Sequence, residues 1–383
     1  MPIYLDNSAT TAVCEAAAKK AYDIMTTTFG NPSSLHTLGI RAEQEMTAAR
    51  RAVASLLGLS TGGADLSCIT FTSGGTEANN LAIFGAAYAN RRLGQHIVAT
   101  AIEHPSVLEA VRQLEREGFE LTLVAPDEHG DFSPTALADA CRKDTVLVCM
   151  MMVNNEIGTV LPIKETVPLI RKRSPHAVIH CDAVQAAGKI PVKVLSLDVD
   201  TLSISGHKLH APKGVGALYV KRQVRLVPRL YGGGQERQLR SGTEAVPAIA
   251  AFGEAIRQLP APASQLARFT ALSQRLEEGL AALDGIVLHK PSHVVPYIRN
   301  LSVCGFRSET LVHYLAQHDI YVSAGSACAK GHESHVLKAL NLPADQIAST
   351  LRISLCAENT PSDIDAFLET LKNATASLVR ADG

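Results

Sequence analysis

Short apolar runs alternate with longer amphipathic stretches between about residues 60 and 255 of this 383-residue chain. Residues 68–72, 96–101, 120–124, 145–151, 177–181, 201–204 and 215–220 read as strands. Residues 77–92, 106–117, 133–142 and 163–174 read as helices between them. Apolar strands separated by helices predict a mainly parallel seven-stranded sheet covered on both faces. Near residue 259 the texture changes to L-P-A-P-A-S-Q, a boundary signal. A long helix follows at about 265–283. Strand-like runs at 285–288, 298–303, 320–323 and 351–355 come next, then a last helix at 361–379. The expected plan is a large domain over 16–258 and a smaller α+β domain made of 1–15 with 259–383.

Composition narrows the function classes. Hydrophobic residues are 46% and charged residues 19%, enough for a substantial core, and the net charge is −1. Nucleic acid and membrane surfaces are poor partners for such a chain. The N-terminus M-P-I-Y-L-D-N lacks a basic start followed by an apolar stretch, which leads to the expectation of a cytoplasmic protein. The eight cysteines form no C-x-x-C pair, so no metal site or dithiol redox motif is expected. Seven are read as structural thiols or left without a role; Cys328 differs.

Eight segments carry candidate chemistry. I-S-G-H-K-L-H-A-P-K-G-V-G (204–216) presents Lys208 at a strand end beside Ser205 and His207. Such an amine can form a Schiff base while its neighbours hold a phosphate; alone it could be a solvated loop lysine. T-S-G-G-T-E-A-N-N (72–80) opens a helix after a strand, with Gly75 and Thr76 placed for an anion or for a simple N-cap turn. In A-V-I-H-C-D-A-V-Q (177–185) Asp182 stands at the end of a buried apolar strand, where it could pair with a protonated ring nitrogen or cap the next helix. His104, in A-I-E-H-P-S, could stack on a flat ring and shuttle protons or be a satisfied loop histidine. Asn155, in M-V-N-N-E-I-G, could donate to a cofactor oxygen or a substrate carboxylate, or belong to a turn. Thr243 closes the glycine-rich segment 232–243 and could reach a phosphate across a subunit interface. Arg352 lies inside an apolar run, where a carboxylate or an internal ion pair would satisfy it. Cys328, in V-S-A-G-S-A-C-A-K-G, sits among small residues with Lys330, His332 and His335 near, a setting that favours an accessible thiolate.

Taken together these segments resemble the cysteine desulfurases, fold-type-I pyridoxal-phosphate enzymes of the class V aminotransferase group. The resemblance runs nearly end to end. It takes in Y-L-D-N-S-A-T-T (4–11), G-N-P-S-S-L-H (30–36), S-G-H-K-L-H-A-P-K-G, G-S-A-C, L-R-I-S-L and Asn359-Thr360. The chain departs from the family at Ser8, usually Ala, and at His210-Ala211, often Tyr-Gly. The resemblance implies pyridoxal 5'-phosphate held by Lys208, with Asp182 on the ring nitrogen and His104 stacked on the ring. Asn155 and Gln185 would bind ring substituents. Gly75, Thr76, Ser205 and His207 would surround the phosphate, with Thr243 coming from the partner of a homodimer. Arg352 would grip the L-cysteine carboxylate, and Cys328 would take the sulfur as a persulfide and pass it to an acceptor such as an iron–sulfur scaffold protein. A selenocysteine lyase or aminotransferase on the same scaffold, or a non-catalytic docking protein for sulfur assembly, is the alternative.

Overall fold

The computed structural model describes residues 2–325 and 334–381. The strands in chain order are β1 (Ile3–Tyr4), β2 (Ile69–Thr72), β3 (His96–Thr100), β4 (Glu120–Val124), β5 (Thr145–Met151), β6 (Val178–Asp182), β7 (Thr201–Ser205) and β8 (Gly216–Val220), followed by β9 (Ile286–His289), β10 (Ile298–Val303), β11 (Ile320–Tyr321), β12 (Ser323–Ala324) and β13 (Thr350–Ser354). Among the described residues, seven of them form one sheet in the order β2-β8-β7-β6-β5-β3-β4. Every neighbouring pair from β7 to β4 is parallel, and β8 alone runs against its neighbours. Strands β3, β5, β6, β7 and β8 are buried along their whole length, as their continuous apolar runs require when helices cover both faces.

Two helices not read from the sequence, Glu15–Thr27 and Thr37–Leu56, pack on the helix Val246–Gln258. The approach is close at Gly253, where a Cβ would lie 2.6 Å from Ala49 Cα. The smaller sheet is antiparallel, in the order β12-β13-β10-β9. The run expected as one strand at 320–323 is split. β11 pairs with β1, while β12, one residue further on, pairs with β13 in the other sheet. The chain start is thus built into the C-terminal part of the fold. Ser354 N donates to Leu5 O at 2.7 Å and Asn7 N to Ser354 O at 3.2 Å. These contacts bring residues 6–11 over the carboxyl ends of β6 and β7, where ligands bind in parallel sheets.

Candidate active site

β7 runs directly into the turn that presents Lys208. Gly206 leaves no room for a side chain: a Cβ would lie 2.8 Å from Val215 Cγ1. Its N–H donates to Val215 O at 2.9 Å, and Leu209 N donates back to Gly206 O at 2.8 Å. Thr11 pins the turn from outside, donating from its N–H to His207 O at 2.9 Å. Lys208 Nζ consequently points at the chain start, donating to the carbonyl of Ser8 and, at 2.6 Å, to that of Ala9. Burial lowers its pKa to about 7; Lys189 and Arg352 push the same way, against Asp6 and Asp182. An amine largely neutral just above pH 7 is a nucleophile.

Asp182, the last residue of β6, faces the same cavity of about 850 Å³. Its Oδ1 accepts from Val184 N at 2.9 Å and its Oδ2 from Asn79 Nδ2 at 2.8 Å. Asn79 lies one turn into the helix Gly75–Asn90, and every polar atom of its amide is used. Its nitrogen also donates to Ser106 Oγ at 2.8 Å, and its oxygen faces His180 Nε2 at 3.0 Å. His180 is fully buried and held at a pKa of about 4 by that burial, so its Nε2 carries the proton and Nδ1 takes one from Thr201, 2.9 Å away. Asn79 is a site residue that sequence reading missed. The signal was present: an amide four residues after Gly75 falls on the same helix face as the glycine.

Through Ser106 the network reaches His104. That histidine caps the helix Pro105–Arg116, its Nδ1 accepting from Ser106 N at 3.1 Å and sitting 2.8 Å from Ser106 Oγ. Since Ser106 Oγ accepts from Asn79, its hydroxyl proton goes to Nδ1, which leaves the His104 proton on Nε2. The ring is open to the cavity. Desolvation lowers its pKa, Asp182 opposes, and Lys208 and His335 reinforce the lowering.

At the other end of the cavity stand Gly75, Thr76, Ser205 and His207. Gly75 starts its helix, so its N–H and those of the next two residues have no partner within it. A Cβ on Gly75 would lie 3.0 Å from Val184 Cγ2 and 3.5 Å from Ser205 Cβ. A side lobe of about 480 Å³ adds Ser73, Lys213 and Gly214 to this end. His207 is kept neutral near pH 7, its pKa lowered to about 4 by burial and then by Lys208, Lys213, Lys189 and His104. Thr243 is exposed and does not line the cavity of its own chain.

Arg352 comes from β13, across the cavity from the large sheet. Its guanidinium donates to Asp6 Oδ1 at 2.7 Å and to Asn155 O at 3.1 Å, while its buried Nε has no partner. The ion pair weighed as one alternative for Arg352 is therefore formed, yet one donor is left over. Ser8 Oγ is likewise buried and unpartnered on this wall. The Asn155 side chain opens on the cavity. Gln185 also lines it, its Nε2 donating to Ser8 O at 2.9 Å. Cys328, with Lys330 and His332, lies outside the described residues. The residues flanking that stretch, Gly325 and Ser334, both line the cavity, and Ser334 Oγ donates to Glu156 Oε2 at 2.5 Å. The other cysteines carry no disulfide; Cys149 and Cys181 are fully buried, with thiol pKa values pushed well up by burial.

The arrangement fits an aldehyde cofactor with a phosphate tail. An amine of near-neutral pKa stands at one point, a buried carboxylate with neutral donors at another, and a glycine-lined helix start at the far end. Two orphaned donors, Arg352 Nε and Ser8 Oγ, remain for a further anion. Among the described residues no cluster of His, Cys, Asp and Glu could hold a metal, and no helix is long and apolar enough to cross a membrane.

Known proteins bear on this geometry. The class-V aminotransferase family matches residues 3–367. A NifS/IcsS protein homologue of Lactobacillus delbrueckii subsp. bulgaricus is 43% identical over 96% of this chain and 95% of its own. A cysteine desulfurase IscS of Methanosarcina thermophila is 40% identical over 98% of this chain and 92% of its own. The solved structure of a NifS-like protein superimposes with a TM-score of 0.92 at 35% identity, covering 99% of this chain and all of the other. The chain belongs to the class-V aminotransferases, a pyridoxal-phosphate family, and within them to the cysteine desulfurases.

Proposed function

We propose that this chain converts L-cysteine to L-alanine, leaving the sulfur as a persulfide on Cys328 for iron–sulfur cluster assembly or another thiolation, and that it works as a cytoplasmic homodimer. The observation that carries the reading is that Lys208, Asp182 and His104 open on one cavity, with the Lys208 amine partly desolvated there. Bound pyridoxal phosphate supplies an aldehyde carbon and an electron-accepting ring. Lys208 would hold the aldehyde, and Asp182 the ring nitrogen. Asn79 and Val184 N–H keep the Asp182 carboxylate aimed at the cavity. The helix start at Gly75, with Thr76, Ser205 and His207, would take the phosphate, and Thr243 of a second copy would complete it. Asn155 and Gln185 would meet ring substituents.

Arg352 binds the L-cysteine carboxylate through its spare Nε. Lys208 would remove the Cα proton of L-cysteine and later return a proton to the product carbon. His104, with its proton on Nε2, supports that transfer. The Cys328 thiolate attacks the substrate sulfur. The S–S bond forms as the C–S bond breaks, the bonding electrons go to the carbon skeleton, and the enzyme thiol becomes a persulfide as alanine leaves. Gly325 and Ser334 on the cavity wall support this assignment. The domain limits proposed with it are 16–258 and 1–15 with 259–383; the cavity receives residues from both.

Incubation with L-cysteine, with alanine and sulfide assayed and the persulfide mapped by mass spectrometry, tests the reading. Equal release of alanine and persulfide on Cys328 is expected, lost in Cys328→Ala and in Lys208→Ala. Alanine formation that survives Cys328→Ala would turn the reading toward a lyase, and consumption of L-cysteine without alanine toward an aminotransferase.

A further inference from the structure

Lys189 is an ammonium in the protein interior. It is 6% exposed and, among the described residues, has no carboxylate within ion-pair distance. The turns after β6 place it: Lys189 N donates to Ala186 O at 3.1 Å, so its side chain runs back toward Gln185. Gly188, with φ of +73°, makes the bend, and Gln265 Nε2 fixes it by donating to Gly188 O at 2.9 Å. Lys189 Nζ then has two neighbours. It stands 3.4 Å from Gln185 Oε1 and 5.2 Å from the centre of the Tyr297 ring. Tyr297 in turn donates from its hydroxyl to Gln185 O at 2.8 Å.

A buried charge without a counter-ion is costly, and a methyl-ended side chain of equal length would fill the space without that penalty. What the ammonium contributes must lie in what it faces. Gln185 is held from both ends: an ammonium faces its oxygen, and the Ser8 carbonyl faces its nitrogen. A flipped amide would set donor against donor and acceptor against acceptor. Ser8 O is also the acceptor on which Lys208 Nζ rests. We propose that Lys189 is a positioning residue of this site: from the interior its ammonium fixes the carboxamide of Gln185, and with it the Ser8 carbonyl shared with the Lys208 amine.

The electrostatics agree. Burial lowers the Lys189 pKa to about 8, and after burial Lys189 is the largest influence lowering that of Lys208. The other titratable or charged groups around Lys189 are Cys356 and Arg352 from the β13 side, Tyr297 before β10, and His207 and His210 from the turn after β7.

The assignment rests in part on the cofactor reading, so the test has one arm without cofactor. In cofactor-free full-length protein, Lys208 is labelled with acetic anhydride across pH and quantified by mass spectrometry. Lys189→Met should raise the labelling midpoint by about one pH unit, with Lys189→Arg returning it toward wild type and neither variant melting earlier. In the second arm, pyridoxal phosphate is titrated by visible absorption. Lys189→Met should bind it roughly tenfold more weakly, and this loss should vanish when Gln185→Leu is already present, because the two act as one unit. A Lys189→Met profile that superimposes on wild type in both arms, or a binding loss that persists in full beside Gln185→Leu, overturns the proposal. Should Lys189→Met not fold, Lys189→Gln is read the same way. Wild type that takes up no pyridoxal phosphate would overturn the function, while the labelling arm still decides on Lys189.

Discussion

Lys208 carries its reactivity at the expense of the fold, and pH separates the two. Its pKa is about 7 in the folded chain, against an ordinary lysine value near 10.5 unfolded. Between these values the unfolded chain binds more protons, so the Lys208 contribution to stability rises with pH across that window and is lost as pH falls through 7. Lys208→Met removes this dependence. The cofactor-free variant should be more stable than cofactor-free wild type at pH 6 to 7, and the gap should close toward pH 10, as urea melts at each pH would read. A second residue-scale prediction concerns Asn79. Asn79→Ala strips partners from His180, Ser106 and Asp182 at once, and leaving buried polar groups unpaired costs about 1–3 kcal/mol each. Denaturant melts should show at least that loss, and pyridoxal phosphate binding should weaken with it. The residues bearing obvious chemistry, Lys208, Asp182, His104 and Arg352, were legible because a charged or titratable group beside or inside an apolar run has few uses. Asn79, Asp6 and Lys189 were not, because their roles come from partners more than 100 residues away or from a buried turn, and no local spacing announces either.

Elements meet the site through close backbone approaches. Gly216 opens β8 where the strand passes the Gly74 turn. A Cβ there would lie 2.8 Å from Gly74 C and Cα and from Ile204 O, all backbone atoms that cannot swing aside. Gly216→Ala should therefore cost about 1–3 kcal/mol by overpacking. It should also displace the Gly74 turn, so that pyridoxal phosphate binding falls more than the stability loss explains; equal cofactor affinity in a folded variant would refute the link. The seven strands of the large sheet could be read to within a residue or so; for all but the edge strand β4, burial along the whole length demands a mostly apolar run. Asp182 and Ser205 proved to be the last strand residues instead of the first loop residues, the ladder holding one step further than hydropathy shows. The split between β11 and β12 was invisible, because both pieces are short and the chain changes sheets at one residue, Val322, which is as buried as its neighbours in a continuous strand would be. The helices Glu15–Thr27 and Thr37–Leu56 were overlooked; the small residues that let Thr37–Leu56 approach Val246–Gln258, Ala49 among them, carry little hydropathy.

At the scale of the whole molecule, the cavity is a seam. The large sheet brings Lys208, Asp182 and His104, the small sheet brings Arg352, and the chain start brings Ser8 and Asp6 between them. A ligand that touches all three should stabilise the fold as a unit. At a hundredfold excess over its dissociation constant pyridoxal phosphate should add about 2.7 kcal/mol, and removing it should lower the melting temperature in one transition. Thr243 stands apart from this seam, exposed and away from the cavity of its own chain. The segment leading to it is firmly held. Glu236 is buried, accepting from Phe71 N at 2.9 Å and pairing with Arg50 at 2.7 Å, and Arg240 pairs with Glu77 at 2.9 Å. A segment so anchored beside the start of the helix Gly75–Asn90, yet ending outside the cavity, is suited to serve a neighbouring subunit. If it does, the site is shared, and sharing has a signature that no single chain can imitate. Lys208→Ala homodimers should be inactive and Thr243→Ala homodimers weak in cofactor binding. Co-refolded together, each mixed dimer would join the intact Lys208 of one chain to the intact Thr243 of the other, giving one complete site. Desulfurase activity at low pyridoxal phosphate should then exceed the sum of the separate variants. Activity that never rises above that sum would confine Thr243 to its own subunit.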